Sequence, residues 1–235
     1  MVTLPTLREM LEAGVHFGHK TSRWHPKMDK FIYGAKSGVH IIDLEKTQEE
    51  LKSSLEFLAQ ASKEGKTILF VGTKKQAQEI VKSGAIESGM PFVVSRWLGG
   101  MLTNFNTVQR AFKKLERSKI TAASAEFEEM KKRDKVKMQK EIEKGERLVG
   151  GLVGLTKQPD VIVLIGVHDE KNAIKEATQA GVTTIGLVDT NADPGLVDFP
   201  IPANDDATKS IMLFTNLFSK TIKENKGANS TNPNS

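Results

Sequence analysis

Residues 96–105 read R-W-L-G-G-M-L-T-N-F and set a cation, a large aromatic ring, a glycine pair and two hydrogen-bonding side chains close together. A guanidinium fork at Arg96 suits phosphate, and the indole of Trp97 offers a flat face for an unpaired base. Gly99 and Gly100 permit positive φ or close backbone approach. Thr103 or Asn104 is placed to cap the helix that follows. The competing reading is a strand–turn–helix corner with Trp97 in the core. Residue types alone favour that corner.

A second group lies between residues 15 and 37. Periodicity is lost there, and His16, His19, Lys20, Arg23, His25, Lys27, Lys30 and Lys36 accumulate with Trp24, Phe31 and Tyr33 among them. Cations mixed with aromatics in an irregular segment suit RNA, whose phosphates need charge and whose splayed bases need a flat partner. The alternative is a solvated loop whose aromatics dock on a core. The histidines also raise a metal site. No Asp, Glu or Cys completes a ligand set at close spacing, so no metal is expected.

Three other stretches carry weaker signals. Gly72-Thr-Lys-Lys75 is a glycine turn with lysines before a helix, which can hold phosphate. It lacks P-loop spacing, and no G-x-G-x-x-G fingerprint occurs. Asp189-Thr-Asn-Ala-Asp193 begins like a calcium loop. Pro194 stands at the turn-glycine position and Pro200 at the bidentate-glutamate position, so a polar loop at a strand end is expected instead. Between residues 106 and 147 lysine and arginine outnumber the acids locally, with Lys113, Lys114 and Arg117 on the first of two expected helices.

These groups need a scaffold. Apolar runs at 39–42, 67–71, 91–94, 161–165 and 183–188 read as strands, with a further short strand near 201. Helical patterns fall at 4–13, capped by Thr3 with Pro5 in its first turn. Further helices are expected over 44–63 behind Asp43, from about 76 to 88, near 170–180, and up to about 223. The alternation predicts an α/β fold with a parallel sheet covered on both faces. Phe105, Val108, Phe112 and Leu115 form one apolar seam, and Phe127, Met130, Met138 and Ile142 a looser second one. A turn is expected over 118–125, giving an inserted antiparallel coiled-coil hairpin. The expected division is an α/β globular domain over 1–104 and 148–225 that includes the basic N-terminal extension. The hairpin occupies 105–147 and a disordered tail 226–235.

Composition narrows the classes. The chain has 235 residues, 27% of them charged, and a net charge of +5, a mild bias toward a polyanionic partner. It has no cysteine, which excludes disulfides, thiol catalysis and cysteine-ligated zinc. Neither a secretory signal nor a bilayer-length apolar run is expected. The glycosylation triplet at Asn229 carries no weight without secretion.

The strings G-V-H-F-G-H-K-T-S-R-W-H-P-K-M, H-I-I-D-L-E-K-T, V-G-T-K-K-Q-A, R-W-L-G-G-M-L-T-N-F, D-T-N-A-D-P and I-P-A-N-D-D-A run nearly the whole chain up to about Lys223. Together they closely resemble the second protein of the bacterial-type small ribosomal subunit, the uS2 family. The resemblance implies a flavodoxin-like three-layer domain with an inserted coiled-coil hairpin. It also implies a non-enzymatic structural role in translation and subunit assembly, with small-subunit ribosomal RNA as partner. Neighbouring subunit proteins, including the long messenger-capturing one, are further implied partners. The implied location is the cytoplasmic ribosome, or an organelle ribosome, with no cofactor, small-molecule substrate or membrane. The expected RNA-contacting residues are Lys20, Arg23, Trp24, His25, Lys27, Arg96, Trp97, Asn104, Lys113, Lys114 and Arg117. The chain departs from the family at 148–156, which lacks the usual lysine-bearing loop, at 181–184, which lacks a proline, and at Ala203, where glycine is frequent.

Two other classes compete. A small-molecule enzyme would use the loops at Gly72, Gly99 and Asp189, with Asp189, Asp193, Asp205 and Asp206 as acid–base or metal groups. A coiled-coil adaptor would bind only proteins.

Overall fold

The computed structural model describes residues 4–124, 127 and 129–226. The expected cap Thr3, part of the expected turn at 125, the tail from 227 and the triplet at Asn229 lie outside the described residues.

Five parallel strands form the central sheet: β4 (Ile68–Val71), β5 (Phe92–Val93), β6 (Val161–Ile165), β7 (Thr183–Val188) and β8 (Phe199–Pro202). Their spatial order is β5-β4-β6-β7-β8. Counted along the chain within this sheet, that is 2-1-3-4-5, the order of flavodoxin-like doubly wound folds. β4 and β6 are buried at every position. Alternation explains why: Leu69, Val71, Ile162 and Leu164 enter one apolar cluster, while Ile68, Phe70, Val161, Val163 and Ile165 enter the other. A sheet apolar on both faces must be covered on both. Pro200 and Pro202 lie in β8 at the edge of the sheet, where a missing N–H costs no ladder bond.

On one face lie α2 (Leu44–Lys63), α3 (Gln78–Ser88) and α7 (Thr208–Asn225), which bring Leu51, Leu55, Leu58, Val81, Phe214 and Phe218 to the second cluster. α2 has the expected bounds, and the Asp43 carboxylate accepts from Glu45 N–H at 3.1 Å as its cap. α6 (Lys171–Ala180) contributes Ala173, Ile174 and Ala177 to the other face. α1 (Leu7–Glu12) is shorter than expected. Its cap is Thr6, in a reciprocal capping box with Glu9.

Two corrections concern the N-terminal third. Residues 15–37 are not irregular. β1 (Phe17–Lys20) and β2 (Ile32–Lys36) both pair antiparallel with β3 (Val39–Ile42). The expected strand at 39–42 is therefore the centre of a separate three-stranded sheet. Sequence periodicity misses this sheet because it is half-exposed, interrupted by 3-10 turns at Thr21–Arg23 and Pro26–Phe31, and bulged in both pairings.

The insertion holds α4 (Phe105–Ala122) and α5 (Lys132–Val149). α4 runs further than the expected turn allowed, through 118–122. The two helices pack side by side: a Cβ on Gly145 would stand 2.9 Å from Leu115 Cδ1, and Lys119 pairs with Glu146 at 2.9 Å. Val108, Phe112 and Leu115 are buried as the first seam requires. No described helix is long and apolar enough to cross a membrane.

Candidate nucleic-acid interface

In doubly wound folds a ligand commonly binds beyond the carboxyl ends of the strands, where the strand order reverses. Here that crevice holds the chain's own charges. Lys74, in the turn after β4, donates to Asp205 and to Asp206 (2.9 Å), both after β8, and lies 3.3 Å from Asp169, after β6. Thr73 N–H donates to the Glu170 carboxylate at 2.8 Å. A phosphate at Gly72–Lys75 would therefore meet a turn in which Lys74 and the Thr73 N–H are already engaged by carboxylates, with Lys75 exposed beside them.

The small sheet closes over these groups. His19 on β1 sets Nδ1 2.9 Å from Asp189 Oδ1 and Nε2 3.3 Å from Asp206 Oδ2. Its N–H donates to Thr190 Oγ1 at 2.8 Å, and His25 N–H donates to Thr190 O at 2.7 Å. The hydrogen bond with Asp189 raises the His19 pKa, burial opposes it, and the charges of Asp189, Asp206 and Asp205 add to the rise. His19 thus lies between two aspartates. His19, Asp189 and Asp206 are also close enough to hold a metal ion. Acidic partners thus do reach a histidine, from far along the chain, which close spacing in sequence does not reveal. His16 and His25 do not join that group.

Asp205 is fully buried, and its Oδ2 has no hydrogen-bond partner. Burial pushes its carboxyl up, the neighbouring Asp189 charge adds to this, and Lys74 only partly opposes them; the pKa reaches about 7.

The expected RNA-contacting residues divide. Lys20, Arg23 and Trp24 are exposed on the small sheet and its first turn, with Tyr33 nearby on β2 at 79% exposure. The Trp24 ring stands 5.3 Å from that of His40. Lys27 is exposed too, but its ammonium donates to Asp193 at 2.7 Å. His25 accepts from Lys27 N–H at 3.3 Å and lies 4.0 Å from the same aspartate. Arg96 and Asn104 are exposed. Trp97 is not available for stacking: its ring is 7% exposed, and its Nε1 donates to Glu176 at 3.1 Å. The corner reading of this stretch is the one the geometry bears out for Trp97. Asn104 occupies the N-cap position of α4 without capping the backbone; its Oδ1 instead accepts from Thr107 Oγ1 at 2.9 Å. Lys113, Lys114 and Arg117 are exposed on α4, with Lys114 3.8 Å from Glu141.

Sequence reading missed two further residues at the turn. Lys157 and Gln158 line a depression with residues 103–106, and Gln158 donates to Leu102 O. They follow the glycine-rich segment at 148–156. Nothing local marked them.

A parallel sheet of order 2-1-3-4-5, with internal ion pairs at the carboxyl ends of its strands and a basic antiparallel sheet packed against them, defines a doubly wound α/β protein, and Lys20 and Arg23 line a cavity there with His19, Asp189 and Asp206. A family model described as Ribosomal protein S2 matches residues 10–225, and the chain belongs to that family. It is similar to the small ribosomal subunit protein uS2 of Coprothermobacter proteolyticus, at 44% identity over 94% of this chain and 82% of that protein. The uS2 proteins of Helicobacter hepaticus (43%, covering 97% and 87%) and Thermus thermophilus (47%, covering 88% and 81%) are comparable.

Proposed function

We propose that this chain is a structural, non-enzymatic constituent of the small ribosomal subunit that binds small-subunit ribosomal RNA and supports assembly and translation. The match to the ribosomal protein S2 family over residues 10–225 carries this reading. Geometry supports it in two ways. Exposed Lys20, Arg23, Trp24 and Tyr33 offer charge and ring faces, Arg96 is exposed before the turn that leads into α4, and Asn104 lines a depression at that turn with Lys157, which pairs with Asp160 at 3.1 Å. Meanwhile the carboxylates that an enzyme would need, Asp189, Asp205 and Asp206, engage Lys74 and His19.

In this reading phosphate contacts dominate affinity and make it salt-dependent. The insertion acts as a coiled-coil arm, a division separate from the α/β domain. Lys113, Lys114 and Arg117 extend the RNA footprint along it. Ile120 (71% exposed) and Val136 (42%) offer apolar surface to neighbouring subunit proteins, the long messenger-capturing one included. The location is the ribosome in the cytoplasm.

Sedimentation of the tagged chain from lysate, at low and high magnesium, tests this. Co-migration with the small subunit in both conditions is expected. Sedimentation only as a free protein refutes the reading, and a small molecule at the strand ends then becomes the object of search.

A further inference from the structure

We propose that Glu176 is a positioning residue: its carboxylate is the internal anion that holds the 97–103 turn in the shape that presents Arg96 and Asn104 to RNA. This rests on the RNA-binding reading above.

The turn is built around that carboxylate. Oε1 accepts from Trp97 Nε1 at 3.1 Å and from Gly100 N–H at 2.8 Å, and Oε2 accepts from Leu102 N–H at 3.0 Å. Thr103 N–H adds to the same group of donors. Burial raises the carboxyl pKa, but these donors together outweigh it and hold the group below the usual glutamate range. Gly100 at φ +84° supplies the left-handed residue that lets neighbouring N–H groups converge.

Converging backbone N–H groups form a nest for an anion. In this turn the nest is filled from inside the protein, by a residue of α6 lying 76 positions from Gly100. A phosphate therefore does not enter it. The turn is two-sided. Trp97, Met101 and Leu102 are buried beside the carboxylate, while Arg96, Gly99, Thr103 and Asn104 face outward. Gln158 grips Leu102 O from another direction. Losing Glu176 frees the inner half, and the outer half then samples many shapes. RNA binding must re-order it, and that cost appears as lost affinity.

The test uses the full chain and small subunits stripped of their own copy of this protein. Wild type, Glu176→Ala, Glu176→Gln, Glu176→Asp and Arg96→Ala are compared, with the Arg96→Ala/Glu176→Ala double variant. We expect Glu176→Ala to bind about tenfold or more weakly, Glu176→Gln to resemble it, and Glu176→Asp to recover part of the loss by keeping a carboxylate. The double variant should bind no worse than the weaker single variant, because both act through one turn. The Trp97 indole N–H resonance should shift in Glu176→Ala.

Unchanged or tighter binding by folded Glu176→Ala, with wild type binding, overturns the proposal alone. Tighter binding would mark the nest as a phosphate site. Failure of the wild type to bind removes the RNA reading and the proposal together. Should Glu176→Ala fail to fold, hydrogen exchange on the wild type decides. Slowed exchange at Gly100 and Leu102, slowed further on the subunit, supports the proposal, and fast exchange in both states overturns it.

Discussion

Replacing Asp205 with Asn should flatten the dependence of stability on pH between about 5.5 and 7.5. Asp205 has no exposed surface; Lys74 reaches Oδ1, Oδ2 has no donor, and Asp189 adds its charge. The folded pKa of about 7 lies well above the unfolded value of about 3.9. Between those two values the folded chain binds more protons than the unfolded chain, so stability rises as pH falls through 7. One proton is worth about 1.4 kcal/mol per pH unit, so acidifying from 7.5 to 5.5 gains about 2 kcal/mol at most from this group. For a chain of this size that is about 4–8 °C in Tm. His19, with its raised pKa, changes stability in the same direction, losing its contribution as pH rises above its unfolded value. His16, held down by burial, works in the opposite direction. Glu176 and Asp193 have lowered pKa values, and their contributions fade only at more acidic pH. The contributions of His16, Glu176 and Asp193 cancel in the wild-type-minus-variant difference, whereas part of the His19 contribution is lost with the Asp205 charge that helps to raise it and flattens the variant's profile further. Asn keeps the volume and can still accept from Lys74, while Asp206 and Asp169 remain beside that lysine. Urea unfolding at constant ionic strength across this pH range is the assay. Parallel profiles for wild type and Asp205→Asn would show that Asp205 is ionised throughout and refute the reasoning.

Cations that face RNA should register in the salt dependence of binding. Lys20→Ala and Arg23→Ala should each reduce the slope of log K against log salt by roughly 0.7–0.9, whereas Lys27→Ala, whose ammonium is paired with Asp193, should leave it near wild type. Trp24→Ala should weaken RNA binding by about 1–3 kcal/mol with the slope unchanged, since a stacking ring carries no charge. An altered slope would count against stacking. Gly84→Ala should destabilise the fold by roughly 1–3 kcal/mol in a thermal melt. Its Cβ would stand 2.5 Å from Thr215 Cγ2 and 2.7 Å from Ser219 Oγ, where α3 and α7 meet. Unchanged Tm would mean that those helices separate freely.

Strands β4, β6 and β7 and helix α2 were legible because their signals are local. A run such as Val161–Ile165 can be satisfied only by burial on both faces, and Asp43 marks the start of α2 within three residues of its N–H partner. The small antiparallel sheet was not legible. Its strands are short and half-exposed, and bulges break their alternation. At the candidate interface, residue types pointed to side chains of a chemistry suited to RNA, but not to which of them are exposed and unpaired. Trp97 and Arg96 are adjacent in sequence, yet one is buried against Glu176 and the other faces outward.

The sequence by itself determined the alternating α/β plan, two helices between β5 and β6, the basic segments and, through long matching strings, the family. Only the tertiary structure decided how the charges are spent. Lys74 meets Asp205 across 131 residues, Lys27 meets Asp193 across 166, and Trp97 meets Glu176 across 79. The strand order 2-1-3-4-5 brings the ends of β4, β6, β7 and β8 to one edge of the sheet. Whether a side chain there is a free cation or half of an internal ion pair depends on which strand ends become neighbours. Local periodicity carries no information about that, because Coulomb and hydrogen-bond energies depend on distance in space rather than separation along the chain.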